Sequence, residues 1–437
     1  MAMKKNHKVF SIVLSVCITV FCLHSQSLKA SSQERLASFA RVMQTTPGYY
    51  SVSGKISDAD SRATLGYATV SVEGTSIATV SNLDGNFVLK VPLERNPANL
   101  EISYLGYKKA RILISPSSSN LDIRLEVSPV ELSEITIRPD DASSIVSEAL
   151  RRIPRNYSRN PFMMIGFYRE SIKKNNNYVS LVEAILDIYK SGYGASINDQ
   201  VRIYKGRKGS DRARIDTVLF KFQGGVGSAL DLDMIKHPDI LFTEEPMRAY
   251  YFILGAPVML NDRYQYSVIF SQSRDVKDIL YRGKLFIDME TYAITRAEFN
   301  MNVEDNPESQ SLFIRRKPAG FNLRPLSAAY VMEFRQGEDG KWYYNYSRTE
   351  VQFSTKWDRK LFRSNFTIQS ELAVTDRYFE GLQRFPVDVR LRNTDVIAEK
   401  ITDFEDGNFW GEYNVIEPDQ TVEQAIRRLS RVLRRRN

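Results

Sequence analysis

The sequence predicts a mainly β protein in which a small β-sandwich is followed by a large curved antiparallel sheet, half-barrel-like, with a few helices. The clearest observation is the segment Tyr281–Met301, where apolar and polar residues alternate along two arms joined by Asp288-Met289-Glu290-Thr291. Such alternation, in a segment rich in aromatic and β-branched residues, indicates a half-buried antiparallel hairpin. The second observation is a series of short alternating segments separated by turn residues between Tyr50 and Val127, which is typical of a sandwich.

The hairpin has one apolar face. Its first arm places Tyr281, Leu285 and Ile287 together. In its second arm the alternation predicts Ala293, Ala297, Phe299 and Met301 on one face, opposite Ile294, Arg296 and Glu298. A sheet that is apolar on one side must cover that side with a helix, a second sheet or a ligand. The functional question is therefore what covers it.

Residues 1–30 have the composition of a secretory signal peptide. Lys4, Lys5 and Lys8 precede the apolar run Val9–Leu23, which is shorter than an ordinary membrane span. We predict cleavage after Ala30 and export to the periplasm or the periplasmic face of the outer membrane. A retained anchor or a lipoprotein is the alternative.

Removal of this segment would change the inventory of reactive side chains. Both cysteines, Cys17 and Cys22, would be lost, and His237 would be the single histidine left. The segment also carries four lysines and no acidic residue, so the formal charge would fall from +8 to +4. The mature chain would have no disulfide and no thiol, and its charge is too small to argue for nucleic acid.

The remaining chain divides into five predicted regions. They are a lead-in segment at 31–49, a sandwich at 50–128, a linker with a helix at 129–159, a large antiparallel β domain at 160–400, and a tail with a basic amphipathic helix at 401–437. The linker helix is predicted over Asp141–Ile153 and ends before Pro154. In the tail, Thr421 and Gln424 form a predicted capping box. The clearest predicted strands of the large domain, besides the hairpin, are Phe167-Tyr168, Tyr178–Tyr189, Val218–Phe222, Tyr264–Phe270, Ala328–Phe334, Trp342–Phe353 and Phe366–Leu372, whereas Glu244–Ile253 fits a strand or a helix.

The sandwich region resembles a known domain family. The likeness is carried by Gly54-Lys55-Ile56, Ala68–Thr75, Asp84-Gly85-Asn86-Phe87 and Ser103–Tyr107. These segments are similar to the carboxypeptidase-regulatory-like domain, a transthyretin-like sandwich common in Gram-negative envelopes. Val130–Ile137 looks like the segment that follows this domain at the front of TonB-dependent receptors. The resemblance implies an accessory domain, and it does not imply peptidase activity.

The hairpin Tyr281–Met301, in its setting, looks like part of the LolA/LolB-type open half-barrel, in which a curved sheet wraps around a helix or a lipid. That resemblance would imply binding of acyl chains or of extended apolar segments.

The side chains offer little for enzyme chemistry. Zinc sites normally use cysteine and histidine, of which the mature chain would keep only His237. A Ser-His-Asp arrangement would depend on that same histidine, and the sequence around it lacks a nucleophile-elbow glycine pattern. Asp231 and Asp233 resemble the start of a calcium loop without its glycine and its closing glutamate. We therefore predict no metal, no cofactor and no catalytic residue. A hydrolase that uses two carboxylates stays open, because the sequence does not show which carboxylates face each other.

Two groups of residues are candidates for binding. Tyr168, Arg169 and Glu170 lie at the end of a predicted strand, where Arg169 and Glu170 form either a surface ion pair or a charge pair at the mouth of the half-barrel. The second group is the arginines of the C-terminal helix: Arg427, Arg428, Arg431, Arg434, Arg435 and Arg436. They form a solvated face, a peripheral contact with anionic lipid headgroups, or a contact with an acidic partner.

These observations predict a non-enzymatic binding or scaffold protein at the periplasmic side of the outer membrane, whose partner is an envelope protein or a lipid. One alternative is a lipid or lipoprotein carrier, which requires an apolar cavity that can be emptied. The other is a carboxylate-based hydrolase, which requires two facing acidic groups, at least one of them desolvated.

Overall fold

The computed structural model describes residues 48–129, 142–211, 225–231, 233–238, 247–276, 278–304, 309–313, 319–359, 361–392, 395–403 and 409–434. The predicted signal peptide with its cleavage after Ala30, the lead-in segment up to residue 47, Val130–Ile137, the strand Val218–Phe222, Arg435 and Arg436 lie outside the described residues. The chain separates into two compact units. One of them contains Gly48, Tyr49 and Pro92–Glu94. Within that unit the Leu93 amide donates to the Gly48 carbonyl at 2.7 Å. The other unit contains Tyr50–Val91 and everything from Arg95 onward.

Seven strands form the N-terminal sandwich. They are β1 Tyr49–Asp58, β2 Thr69–Val72, β3 Ala78–Val80, β4 Asn86–Pro92, β5 Ala98–Ser103, β6 Ala110–Ile114 and β7 Leu121–Leu125. Three of them make a sheet in the order β4-β1-β7, and four make a second sheet in the order β3-β2-β5-β6. The alternation predicted for β4 is confirmed, since Phe87, Leu89 and Val91 are all buried. Gly85 precedes β4 with a φ of 80°, a conformation that favours glycine.

The second sheet is large and open. It contains β8 Phe162–Lys174, β9 Asn177–Lys190, β10 Gln200–Ser210, β11 Tyr250–Leu254, β12 Val258–Leu260, β13 Arg263–Gln272, β14 Tyr281–Asp288, β15 Ile294–Met301, β16 Phe321–Gln336, β17 Trp342–Trp357, β18 Ser364–Tyr378 and β19 Thr402–Asp403. The order is β11-β13-β14-β15-β16-β17-β18-β8-β9-β10-β19, with β12 paired to β13. All pairs are antiparallel except β10 with β19. The predicted mainly β fold is confirmed.

The Tyr281–Met301 hairpin is formed by β14 and β15, as the sequence predicts. One detail of its faces is wrong. A β-bulge leaves no residue of β14 opposite Thr295 in the strand register. Ile294 therefore lies directly opposite Ile287 and joins the apolar face instead of the polar one. An extra residue in one strand changes the face of every residue beyond it, and alternation alone does not reveal this. Gly283 is required in β14, because a Cβ there would overlap the carbonyl oxygen of Glu298.

The described residues form five α-helices, which are α1 Ala142–Arg151, α2 Ile153–Asn156, α3 Gly225–Asp231, α4 Ser309–Phe313 and α5 Gln420–Arg434. The predicted linker helix is therefore divided in two, and the role given to Pro154 was wrong. Pro154 lies in the first turn of α2, where the missing amide hydrogen is tolerated.

Both faces of the large sheet are covered by the chain itself. On one face a single apolar core combines residues of α1, α3 and α4 with residues of the sheet, among them Ile145, Val146, Ala229, Leu230, Phe313, Leu285, Ala297, Phe334 and Tyr344. On the other face, Val80 of the sandwich clusters with Phe167 and Tyr346 of the sheet. The same cluster contains Val415 and Ile416, which belong to residues 409–419, here called the C-terminal segment. The apolar side of the hairpin thus belongs to the same core as these helices.

Candidate functional site

Tyr168, Arg169 and Glu170 are consecutive in β8, so their side chains alternate between the two faces of the sheet. Tyr168 and Glu170 lie opposite Ala184 and Val182, which belong to the helix-covered core. Arg169 points to the other face, where it contacts the C-terminal segment. Arg169 and Glu170 therefore do not form the ion pair that the sequence suggested, on the surface or at a rim. That these three residues bind a partner stays a prediction.

Tyr168, which is buried, and Glu170, which is half-buried, form a hydrogen-bonded pair. The Tyr168 hydroxyl donates to Glu170 Oε2 at 2.8 Å. Burial raises the pKa of Glu170 and raises the pKa of Tyr168 well above its usual range. Burial therefore favours the neutral carboxyl, which could donate a hydrogen bond to a polar group on the helix-covered face.

Arg169 belongs to a buried network that is not evident from the sequence. Its Nη2 lies 2.7 Å from Glu183 Oε1 and donates to the Ile416 carbonyl at 2.7 Å. Arg207 Nη2 lies 2.7 Å from the other Glu183 oxygen. Burial would raise the pKa of Glu183, but the two guanidinium groups outweigh burial and the pKa is lowered. Glu183 is thus a charged carboxylate held between two cations, which makes it a structural anchor for the C-terminal segment.

A small cavity lies beside Arg169. Its volume is about 40 Å³, which is room for one or two water molecules and too little for an acyl chain or a sugar. Glu371 lines it and accepts a hydrogen bond from the Tyr346 hydroxyl at 3.1 Å. Burial raises the pKa of Glu371, and Arg169 and Arg348 oppose that increase. The cavity is suited to ordered water and not to an organic ligand.

The sandwich is held on the same face of the sheet by polar contacts. The Thr69 hydroxyl donates to Glu333 Oε1 at 2.8 Å, and Arg296 Nη1 lies 2.6 Å from the other Glu333 oxygen. Further bonds run from Arg335 Nη2 to the Ser76 carbonyl (2.6 Å), from Thr79 Oγ1 to the Val415 carbonyl (3.0 Å) and from Lys90 Nζ to the Tyr413 carbonyl (2.9 Å). The C-terminal segment therefore contacts the sandwich and the sheet together.

A pair of facing carboxylates does occur, at the edge of the helix-covered core. Asp199 Oδ2 and Asp233 Oδ2 lie 2.6 and 2.7 Å from the Nζ of Lys190, which is fully buried. Burial would lower the pKa of Lys190, but the two carboxylates outweigh burial and raise it. Burial would likewise raise the pKa of Asp199, and Lys190 instead lowers it. Both carboxylates are held by the same ammonium group, and neither faces an open cleft as the free acid of a hydrolase would.

The turn after α3 is fixed to the sheet by a second lysine. Lys236 Nζ donates to Ser191 Oγ at 2.7 Å and to the Gly192 carbonyl at 2.6 Å. Asp233 Oδ1 also accepts the backbone N–H of Ile235, so Asp233 stabilises its own turn and does not belong to a calcium loop. Neither Glu183 nor Lys190 is evident from the sequence, because their partners lie on other strands or far along the chain.

Helix α5 packs on the sheet through one side. Val422, Ala425 and Leu429 are buried against Tyr178 and Leu181 of β9. The predicted cap was wrong by two residues, because Asp419 and not Thr421 accepts the backbone N–H groups of Thr421 and Val422, each at 2.8 Å. Asp419 is an equally good cap, and the Thr421 hydroxyl donates to it as well.

The predicted contact arginines differ in exposure. Arg427 and Arg431 are exposed, and Arg427 pairs with Glu423 one turn earlier. Arg428 is half-buried and donates to the Tyr178 carbonyl. The side chain of Arg434 lies outside the described part, as do Arg435 and Arg436. A helix of the length and apolarity that a membrane span requires was not found in the described part of the chain.

Residues 52–137 match the family model of the CarboxypepD_reg-like domain, which confirms the resemblance of the sandwich region. A curated relative, TonB-dependent receptor P3 of Formosa agariphila, is 31% identical over 102 residues, which make up 22% of this chain and 10% of the receptor. The similarity thus spans about a tenth of that relative's length.

Two solved structures are similar to larger parts of the chain. A DUF1329 family protein from Desulfovibrio piger covers 57% of this chain and 96% of its own length, at 11% identity and a TM-score of 0.24. A LolA superfamily protein from Nitrosomonas europaea covers 58% of this chain and 98% of its own length, at 13% identity and a TM-score of 0.20.

Proposed function

We propose that the protein is a non-enzymatic binding or scaffold protein of the Gram-negative cell envelope, at the periplasmic side of the outer membrane. The observation that carries the proposal is that the chain's own helices, sandwich and C-terminal segment cover both faces of the large sheet. A partner would then meet outer surfaces of the protein and not a cavity. The CarboxypepD_reg-like match supports a role in contact, because it is a match to an accessory domain and not to an enzyme.

A lipid or lipoprotein carrier is the second candidate. The helices that occupy the apolar face of the sheet count against it. Emptying the helix-covered face would require the segment around α3 to leave the sheet. That movement would break the buried Lys190–Asp233 pair and the bonds of Lys236 to Ser191 and Gly192. Lys190 would keep only Asp199 as its partner, so these contacts favour the position of the segment over the sheet.

A hydrolase is supported less. The facing carboxylates Asp199 and Asp233 share one buried ammonium group. Glu170, whose pKa is raised by burial, contacts a tyrosine hydroxyl and is not part of that pair. The charged groups of this region therefore act in folding.

The exposed arginines of α5 are the proposed contact for an acidic partner protein. Arg427 and Arg431 face solvent while the opposite side of the helix is buried on β9. Deleting the helix from Arg427 onward would also remove Leu429, which is fully buried, so charge reversal is a cleaner perturbation than truncation.

Native mass spectrometry of protein extracted from envelope fractions tests the proposal. We expect the wild type to carry a second protein at fixed stoichiometry and Arg427→Glu/Arg431→Glu to lose it. The matched control Arg274→Glu/Lys284→Glu, which alters two exposed cations outside α5 and the sandwich, should retain it. One bound lipid for each chain would favour the carrier, and a bare monomer in every sample would refute the scaffold role.

A further inference from the structure

The turn between β17 and β18 exposes two large apolar side chains side by side. Leu361 is 89% exposed and Phe362 is 83% exposed, the two highest values among the large apolar side chains of the described residues. A single exposed apolar side chain needs no explanation, but two adjacent ones at the tip of a hairpin form a projecting apolar point.

The base of this turn is firmly held. The rings of Trp357 and Phe321 lie 5.0 Å apart between their centroids, on neighbouring strands. The Asp358 amide donates to the Gly320 carbonyl at 2.9 Å, and Asn322 Nδ2 donates to Asp358 Oδ1 at 2.7 Å. The last cross-strand pair before the tip is Thr355 with Ser364. The apolar tip therefore projects from an ordered end of the sheet.

Cationic side chains flank the tip. Lys356, Arg359 and Arg363 lie on both sides of Leu361 and Phe362 in the chain, and Arg359 and Arg363 are exposed. The ion pairs made by the described residues do not include these three cations. Asp358 lies in the same turn, where its Oδ1 accepts a hydrogen bond from Asn322, so three cations outnumber one carboxylate. A net positive charge around an apolar point matches the surface of an anionic bilayer.

Two half-buried cations lie along the same end of the sheet. The β8–β9 turn adjoins β18, since the Asn175 amide donates to the Asn365 carbonyl at 2.8 Å. Lys173, just before that turn, places its Nζ 4.5 Å from the centre of the Tyr178 ring. Arg428 of α5 donates to the Tyr178 carbonyl. Because both cations contact Tyr178, the exposed positive charge at this end is that of Arg359 and Arg363.

We infer that the β17–β18 turn is a membrane-docking element, in which Leu361 and Phe362 insert among the acyl chains of an anionic leaflet while Lys356, Arg359 and Arg363 contact lipid phosphates. A lipid surface fits better than a protein partner, because two side chains are far less than the roughly 800 Å² that each partner of a stable protein interface buries. A bilayer requires no matching surface, and it accepts an aromatic and an aliphatic side chain beside basic residues. The inference deepens the proposed function, since it rests on the envelope location and names a lipid partner in addition to the acidic protein.

Sedimentation with vesicles tests the inference on the full chain. The probes are vesicles of phosphatidylethanolamine with phosphatidylglycerol, and vesicles of phosphatidylcholine alone. We expect the wild type to bind the anionic vesicles and to bind them less as salt increases. Leu361→Ser/Phe362→Ser should reduce the partition coefficient by about tenfold or more, and Arg359→Gln/Arg363→Gln should do so for the anionic vesicles only.

Two matched measurements keep the test decisive. Leu113→Ser/Val387→Ser changes two other exposed apolar side chains, of 70% and 66% exposure, and should leave binding within about twofold of the wild type. An unchanged melting temperature establishes that each variant is folded. Equal binding by the wild type and the tip variant, or no binding of the wild type to anionic vesicles, would overturn the inference.

The result is separable from that of the scaffold test. Vesicle binding through the tip, with no protein partner in native mass spectrometry, would uphold this inference and reject the scaffold role. A stoichiometric protein partner without vesicle binding would do the reverse. Cross-linking of position 362 to an envelope protein, in the absence of vesicle binding, would also reject the inference.

Discussion

Replacing Lys190 by methionine tests whether the cover of the apolar face is locked by charge. The substitution keeps an unbranched side chain as far as Cε and removes the ammonium group. Asp199 and Asp233, which lie 2.6 and 2.7 Å from that group, would then be two buried carboxylates without their shared cation. Breaking a buried ion pair by removing one partner costs about 3–5 kcal/mol.

This free energy converts to a shift of the melting temperature. Unfolding entropy is about 2.1 cal/mol/K for each residue, so a cooperative unit of roughly 400 residues has about 0.8 kcal/mol/K. The melting temperature of Lys190→Met should therefore fall by about 4–6 °C near neutral pH. Lys284→Met, which changes an exposed lysine of β14, should leave it within about 1 °C.

The effect should depend on pH with a defined sign. In the wild type Lys190 lowers the pKa of Asp199, so this contribution to stability is present above the unfolded pKa of the carboxyl and is lost as pH falls through its folded pKa. In Lys190→Met burial would instead raise the carboxyl pKa, so the variant should lose less relative to the wild type at about pH 4.5 than at about pH 7.5. Differential scanning fluorimetry at both pH values measures this. A decrease in the melting temperature of less than about 1 °C, or a decrease that does not depend on pH, would refute the stabilising role of Lys190.

The other predictions concern single contacts. Burial raises the pKa of Glu170, so above that pKa the ionised carboxylate destabilises the folded state. Glu170→Gln should therefore raise the melting temperature at about pH 8 and leave it unchanged at about pH 4. A decrease at about pH 8 would contradict this. Leu429→Ala should weaken the docking of α5 on the sheet by about 2–5 kcal/mol and speed tryptic cleavage within the helix. Arg427→Gln should have neither effect. Equal cleavage rates in the two variants would count against the packing of Leu429 on β9. Gly283→Ala should lower the melting temperature by several degrees, because its Cβ would overlap the Glu298 carbonyl, and an unshifted transition would show that the hairpin is packed differently.

The main elements could be predicted from periodicity. The strands around the hairpin alternate because one side of each meets the helix-covered core. Strand β10 was not predicted, because Gln200–Ser210 is rich in lysine, arginine and glycine. Its charges are accommodated by neighbours on β9, as Arg207 is by Glu183. A composition that is typical of a loop can form a strand near the end of a sheet when the adjacent strand supplies the opposite charge.

The partner of Arg169 could nearly be predicted. A two-residue turn at Asn175-Asn176 with continuous pairing would place Arg169 opposite Val182. The register shift after Ile172 moves it to Glu183, which is on the other face. A shift of one residue reverses the faces of a strand, and such bulges leave little trace in the composition. The ion pair at the centre of the network was therefore missed by one position.

Long-range contacts explain the other differences. The pairing of Lys190 with Asp233 joins residues 43 positions apart, across a turn whose shape no short motif specifies. The cap of α5 is different, because Asp419 and Thr421 are both good N-cap residues and the sequence alone does not choose between them. The choice of Asp419 accompanies the contact of Gln420 with Asp84 of the sandwich, where the Gln420 amide donates to Asp84 Oδ2 at 3.0 Å.

Amide hydrogen exchange of the helices over the apolar face is the most direct measurement of the central claim, that the chain itself occupies this face. In the purified protein, the amides of α1 and α3 should exchange slowly, at rates comparable to β17, and short-chain phospholipid should not alter them. Amide exchange in α3 as fast as in an exposed turn would contradict this claim. So would a change in the exchange rates of α1 and α3 on adding the phospholipid, because the helices would then be leaving the sheet to admit a ligand.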